Sequence, residues 1–514
     1  MPIHLARRSL LMTALAVSSA LTTMDVQAQV AQGIVRVGAD VDAQTLDPRL
    51  MRDTTAFRVV NLVFSGLVQL DANLAPRPDL AASWENPDPL TWRFTLRRDA
   101  FFHDGKPVTA ADVVYTFETL VDPKLNARFR SLYTPIASVT AEADDKLVIK
   151  LKEPYAPLLS YLDVGIVPRH IAEAGGDLQN TPVGSGPFKF ARWNKGSRIS
   201  LVANPTYFGG KPAIEGVDFV VVPDNTARAQ AFEAGDLDLI QSPLSPRDVK
   251  RLAGNVKFAK SLSTGIAITY LNFNTASPLL ADPKLRHALA MLVDQATIVQ
   301  QIYEGTDQPA TSTLLPASAT YTADIKQPGF DPAGAKAALD ALGWRDTNRD
   351  GILDKDGRKL SVTLSTHSED PNRIQSIEYL QNVFRQNGIE ANVKISDWPS
   401  FSGGVQQGQH EIALLGWTLL VDPDRLLYAQ LHSKGGLNWG KYVNPRVDTL
   451  LDAGRSALTQ DARNLAYRDA ARIIADEVPY YVLSYQGYHL FYDQRLTRMK
   501  PDPRGMLRSL AGVN

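Results

Sequence analysis

The segment GWTLLVDPD at 416–424 gathers the side chains best suited to recognition chemistry in this sequence. It leaves an apolar run, puts the indole of Trp417 at its end, adds the hydroxyl of Thr418 and the apolar Leu419, then supplies the carboxylate of Asp422. An aromatic surface with a few polar groups is what lines a small-molecule pocket. The same residues also suit a core aromatic at a strand end and an Asp-Pro turn starter. A glycine-rich loop, GGLNWG at 435–440, offers Asn438 and Trp439 to close over such a pocket. Arg373 follows Asp370-Pro371-Asn372, and its planar guanidinium suits bidentate capture of a carboxylate. His367 lies just upstream with a ring nitrogen able to bond a ligand. Asp42, Gln44 and Thr45 follow the first apolar strand and are expected on the opposite wall.

Templates for catalysis are missing. The eight histidines are dispersed and no His-Glu-x-x-His pair occurs, so no zinc-peptidase site is expected. Neither the phosphate loop of nucleotide hydrolases nor the dinucleotide fingerprint is present. His103 reads as a turn residue, and Gly184 and Gly186 flank Ser185 without forming a nucleophile elbow. Asp346, Asn348, Asp350 and Gly351 copy the first half of a calcium loop, but Gly357 stands where the bidentate glutamate belongs. A turn is expected there, with no metal and no cofactor. A carboxylate pair acting across a cleft remains open, because such spacing is set in space and not along the chain.

The elements that would position these residues alternate between short strands and amphipathic helices, an α/β pattern. Residues 91–97 alternate as a strand with Trp92, Phe94 and Leu96 on one face. Thr109 and Asp112 form a capping box, with Val108 and Val113 as its hydrophobic staple, for a helix that stops before Pro123. Asp282-Pro283 and Asp331-Pro332 cap two further helices, the second ending at Gly343. Residues 217–222, 266–273, 360–364 and 412–415 read as buried strands. The absence of a flexible tether between domain-sized parts predicts that the chain crosses between lobes through strands, near 266–275 and 479–486.

With 514 residues the chain is too long for one hydrophobic core. Basic and acidic side chains number 54 and 55, which gives nucleic acid no electrostatic footing as a partner. Arg7 and Arg8, an apolar stretch from Leu10 to Leu21, and Val26-Gln27-Ala28 have the layout of a secretory signal peptide spanning 1–28. The arginine pair is compatible with general or twin-arginine export. With no cysteine there is no disulfide, no thiol catalysis and no lipid attachment site, so a freely diffusing periplasmic protein is expected.

Six further segments stand out: DLAASW at 79–84, FHDGKPVTAADVVYTF at 102–117, VGSGPFK at 183–189, NPTYFGGKP at 204–212, LNFNT at 271–275 and NPRVD at 444–448. Their order and spacing resemble those of the family 5 extracellular solute-binding proteins of ABC importers, which include peptide, opine and nickel receptors. The resemblance implies a type II periplasmic-binding fold of two lobes. Residues 29–270 and 485–514 would form the first, with an inserted subdomain near 72–182, and 271–484 the second. It also implies a monomer that holds a small organic molecule or short peptide between the lobes and passes it to the permease subunits, with no catalysis. A secreted hydrolase with carboxylates across the cleft is the alternative. In this family the 416–424 loop lines the cleft, and peptide receptors carry an aspartate near its start for the ligand's α-amino group. Here Leu419 and Leu420 stand there, which leans toward a blocked, anionic or less polar solute unless Asp422 substitutes from a shifted position. Arg373 falls near the carboxylate-binding arginine of dipeptide receptors.

Overall fold

In the computed structural model, residues 33–513 are described. The signal segment expected at 1–28 lies outside them. One long mixed sheet forms the spine, and its two ends belong to different lobes. From one edge its strands run Glu390–Ser396, Ser361–His367, Ile412–Trp417, Phe258–Phe273, Tyr480–Asp493, Leu239–Gln241, Ile34–Ala39, Gly216–Val221, Arg198–Ala203 and Phe188–Asn194. The short strand Gln308–Pro309 pairs with Tyr480–Asp493 off this path.

The two central strands carry the architecture. Phe258–Phe273 and Tyr480–Asp493 run antiparallel from the pair Phe258/Asp493 to the pair Asn272/Tyr480. Between Thr264 and Ile268 the register breaks. On one side of this break the ladder adjoins the first-lobe strand Leu239–Gln241, and on the other the second-lobe strand Ile412–Trp417. The predicted crossing segments overlap these strands over 266–273 and 480–486. A ladder that is continuous but broken in register lets two packed bodies rotate while remaining connected.

Period-2 alternation explains why these strands read as uninterrupted apolar runs. Leu271, Phe273, Ile412 and Leu414 face one second-lobe core, while Ile268, Tyr270, Ala413 and Leu415 face another across the sheet. The first lobe packs Val35, Val37, Phe188, Phe219 and Leu239 together with the tail residues Leu507, Leu510 and Val513. A separate four-stranded antiparallel sheet, ordered Ala81–Asp88, Thr91–Leu96, Lys146–Leu151 and Ile136–Ala143, is covered by the helix Ala110–Val121 around Phe94, Val113 and Phe117.

The capping chemistry read from sequence is in place. Asp112 Oδ2 accepts from the Thr109 amide at 2.9 Å and from its hydroxyl at 2.8 Å. Asp282 accepts from the Lys284 amide and Asp331 from the Gly334 amide, each at 2.9 Å. The calcium-like segment is a turn. Asp346 accepts from the amides of Asp350 and Gly351, and Asp350 from that of Ile352. Among the described residues no group of three or more acidic or histidine side chains is placed to hold a metal. No described helix is long and apolar enough to cross a membrane.

Candidate functional site

Where the two lobes share their strands, they line a cavity of about 580 Å³. Its first-lobe wall comes from Arg52 to Arg58 at the start of the helix Thr54–Val63, from Arg128 and from Ser242 to Leu244. Its second-lobe wall comes from Tyr303 to Asp307, Asp370 to Arg373, and Thr418 and Leu419. The hinge itself forms the back, with Gly265 to Thr269 facing Gln486 to His489. A smaller chamber of about 120 Å³ adjoins it, sharing Phe57, Leu419, Arg504 and Met506 and lined also by Phe129, Tyr133 and Val421.

Arg373 is held ready on this wall. Its amide is capped by Asp370 at 3.1 Å, and its Nε lies 3.2 Å from the same carboxylate. Nη1 donates to His367 Nε2 at 2.9 Å, which leaves the Nδ1 proton of His367 to donate to Glu369 at 2.9 Å. The guanidinium lies against the backbone of Gly416, where a Cβ would sit 2.0 Å from Nη2. Gly416 is therefore needed for close approach. G416A should push the Arg373 guanidinium out of this position at little cost in stability, because the group displaced is the end of a flexible side chain beside a cavity. Urea denaturation and a crystal structure of the variant check both effects; an unmoved guanidinium would contradict the packing.

Of the residues singled out from sequence, the structure brings Arg373, Thr418 and Leu419 together on the cavity wall. The others sit elsewhere. Trp417 packs edge-to-face on Trp439, centroids 5.6 Å apart, against the second-lobe core. Asn438 Nδ2 donates to the carbonyls of His432 and Tyr442 and its Oδ1 accepts from the Tyr442 amide, so it pins its own loop. His367 acts on Arg373 and does not line the cavity. Gln44 uses its amide to bond Asp53, Thr45 accepts from the Asp47 amide, and neither reaches the wall.

Asp422 is corrected most clearly. It is 2% exposed, caps the helix Pro423–Leu431, and pairs with Arg463 at 2.5 Å. Its other oxygen accepts from Ser160 Oγ at 3.1 Å, across the lobe boundary. Around this point the inserted subdomain meets the second lobe: the Ala156 amide donates to the Arg455 carbonyl at 2.8 Å, and Arg455 lies over Tyr155 and Tyr428. These contacts tie the inserted subdomain to the second lobe.

The cleft residues that sequence reading missed are Arg52, Arg58, Arg128, Asp307, Gln486 and Arg504. No local pattern marks them, because separate segments meet only in the fold. The carboxylates of the main cavity are already engaged. Asp53 accepts from the amides of Ala56 and Gln44, Asp307 from Ser484 Oγ and the Gly487 amide, and Asp370 from Arg373. Burial pushes the Asp307 carboxyl above its ordinary range.

A two-lobed α/β body with a cavity at a strand hinge is the geometry of a binding protein that clamps a small guest. The chain belongs to the bacterial extracellular solute-binding proteins, family 5, whose profile matches residues 75–438. It is 31% identical over 470 residues to the oligopeptide-binding protein AppA of Bacillus subtilis, covering 88% of this chain and 86% of that one. It is 28% identical over 459 residues to the nickel-binding periplasmic protein of Escherichia coli, covering 87% of each. The solved structure of B. subtilis AppA in complex with a nonapeptide aligns with a TM-score of 0.76 at 29% identity, covering 93% of this chain and 98% of that one.

Proposed function

We propose that this chain is the exported, monomeric receptor of an ABC importer, that it holds a small organic solute or short peptide between its lobes, and that it catalyses no reaction on it. The 580 Å³ cavity, walled by both lobes at their shared hinge, carries this reading. Only the closed state makes both halves of such a contact, so solute shifts the population toward it. The permease then reads closure, and ATP is hydrolysed by another subunit.

Arg373, Thr418 and Leu419 are assigned to solute contact. The lobes divide as 29–270 with 485–514, and 271–484, with the insertion near 72–182; the return of Leu507, Leu510 and Val513 to the first-lobe core supports this division. Residues 1–28 direct export to the periplasm, and with no cysteine the mature chain carries no lipid. A hydrolase would need two cleft carboxylates free to act on substrate. The engagement of Asp53, Asp307 and Asp370 favours binding over hydrolysis.

Solute at a hundred times its dissociation constant should add about 2.7 kcal/mol of stability. A thermal-shift screen of peptides, opines, sugars, aromatic acids and chelated metals tests this, with product analysis by mass spectrometry alongside. No shift with any of them, or turnover of one, would defeat the reading.

A further inference from the structure

Charge pairing in the cleft is lopsided. Every carboxylate lining the cavity and its side chamber is occupied: Asp53 and Asp307 by N–H and O–H donors, Asp370 by Arg373, Asp79 by Arg508 and Asp163 by Arg504. Three of the lining arginines have no carboxylate partner among the described residues. Arg52 reaches only the Asn126 carbonyl, at 3.4 Å, and Arg128 only the Arg52 carbonyl, at 2.8 Å. Arg425, from the second lobe, rests on the ring of Phe129 at 4.8 Å. Arg128 lies 5.2 Å from the centroid of that same ring, and Phe57 packs against it at 5.9 Å.

Thus guanidinium groups from both lobes converge on one aromatic platform where cavity and side chamber meet. Like charges gathered without counter-charges repel one another, and an anion arriving between them relieves that repulsion. A planar fork of donors suits oxyanions, and an apolar body fits the adjoining phenyl rings.

Building on the receptor reading above, we propose that the solute is an organic anion whose carboxylate or phosphate group sits among Arg52, Arg128 and Arg425, with its apolar part against Phe57 and Phe129. Closure brings Arg425 onto the anion already met by Arg52 and Arg128, so the charge itself favours the closed state.

The test begins with compounds released from protein purified without refolding, identified by mass spectrometry. It continues with calorimetry using N-acetylphenylalanine, its amide, phenyl phosphate and phenethylamine. The released compound should be anionic at neutral pH, and one of the two acids should bind while the amide and the amine do not. Preference between N-acetylphenylalanine and phenyl phosphate tells carboxylate from phosphate. R52Q and R128Q, whose side chains are exposed, should fold normally and each weaken the bound acid, or the released anion, about tenfold, with R425Q doing the same. A neutral or cationic released compound, equal binding of amide and acid, or full affinity in R52Q and R128Q would overturn the anion assignment and leave the receptor reading intact. No released compound and no binding by any probe would overturn both.

Discussion

R463M is expected to lose about 3–5 kcal/mol of folding stability, the largest effect of any single replacement considered for this chain. Arg463 and Asp422 are 7% and 2% exposed, and their 2.5 Å contact is the main counter-charge for a carboxylate shut away from water. Asp424 lies close by, its own carboxyl pushed up to about 6 by burial, with Arg455 and Asp422 pulling it in opposite directions. Methionine keeps much of the volume and removes the charge, leaving two neighbouring acidic groups to share one remaining arginine. D422N keeps the helix cap, through its side-chain oxygen, and removes the charge, so R463M/D422N should recover a large part of the loss. Urea unfolding of the two single variants and the double variant closes the cycle. A loss below about 1 kcal/mol in R463M would mean that the pair is not desolvated as described.

Local chemistry was largely legible in the sequence, and spatial chemistry was not. Capping aspartates, the Thr109 box and the apolar strands follow from neighbours a few residues apart, and all of these appear where that pattern puts them. The family-like segments proved to be joints. His103 bonds Gly186 and Gly184, Asn204 donates to the Gly186 carbonyl, and Cβ atoms on Gly184 and Gly186 would fall 2.1 and 2.4 Å from the carbonyls of Val63 and Leu62. Those glycines are needed for close approach, so their pattern speaks of scaffold and not of ligand.

Trp417 shows where a more careful reading was available. It shares parity with Ala413 and Leu415 along its strand, which places it on a core-facing side. Asp422 shows where none was: any Asp-Pro can start a helix, and the partner that buries this one lies 41 residues away. Arg52, Arg128 and Arg425 are invisible for the same reason, since lacking a carboxylate partner is a property of neighbours in space.

The buried histidines should withdraw stability as pH drops from about 6.5 toward 4, and the geometry at His103 shows why. Its Nδ1 accepts from the Gly184 amide at 3.3 Å, so in the neutral ring Nε2 carries the proton and donates to the Gly186 carbonyl at 3.1 Å. Protonation would place an N–H against an N–H, and burial already disfavours the charge; the pKa is lowered to about 4. His410, buried beside Asn272 with Lys441 nearby, is likewise lowered to about 4. The unfolded chain takes up these protons near pH 6.5 while the folded chain refuses them until about 4. The unfolded state therefore binds more protons throughout that window, and stability drops with falling pH. Each histidine contributes about 3 kcal/mol at the lower end. His489, lowered for the same reason, adds in the same direction. Asp424 opposes them, because a carboxyl raised to about 6 gains protons first in the folded state and so stabilises it as pH falls below 6. Asp79, Asp163 and Asp307, raised by burial as well, oppose the loss in the same way, and carboxylates of depressed pKa add to it below about pH 5, where the unfolded chain begins to take up their protons. Urea midpoints of the unaltered protein and of H103N, each at pH 7 and pH 4.5, isolate the share of His103. H103N should be less stable at pH 7 yet lose less on going to pH 4.5 than the unaltered protein does, and an equal loss in both would remove His103 from the account.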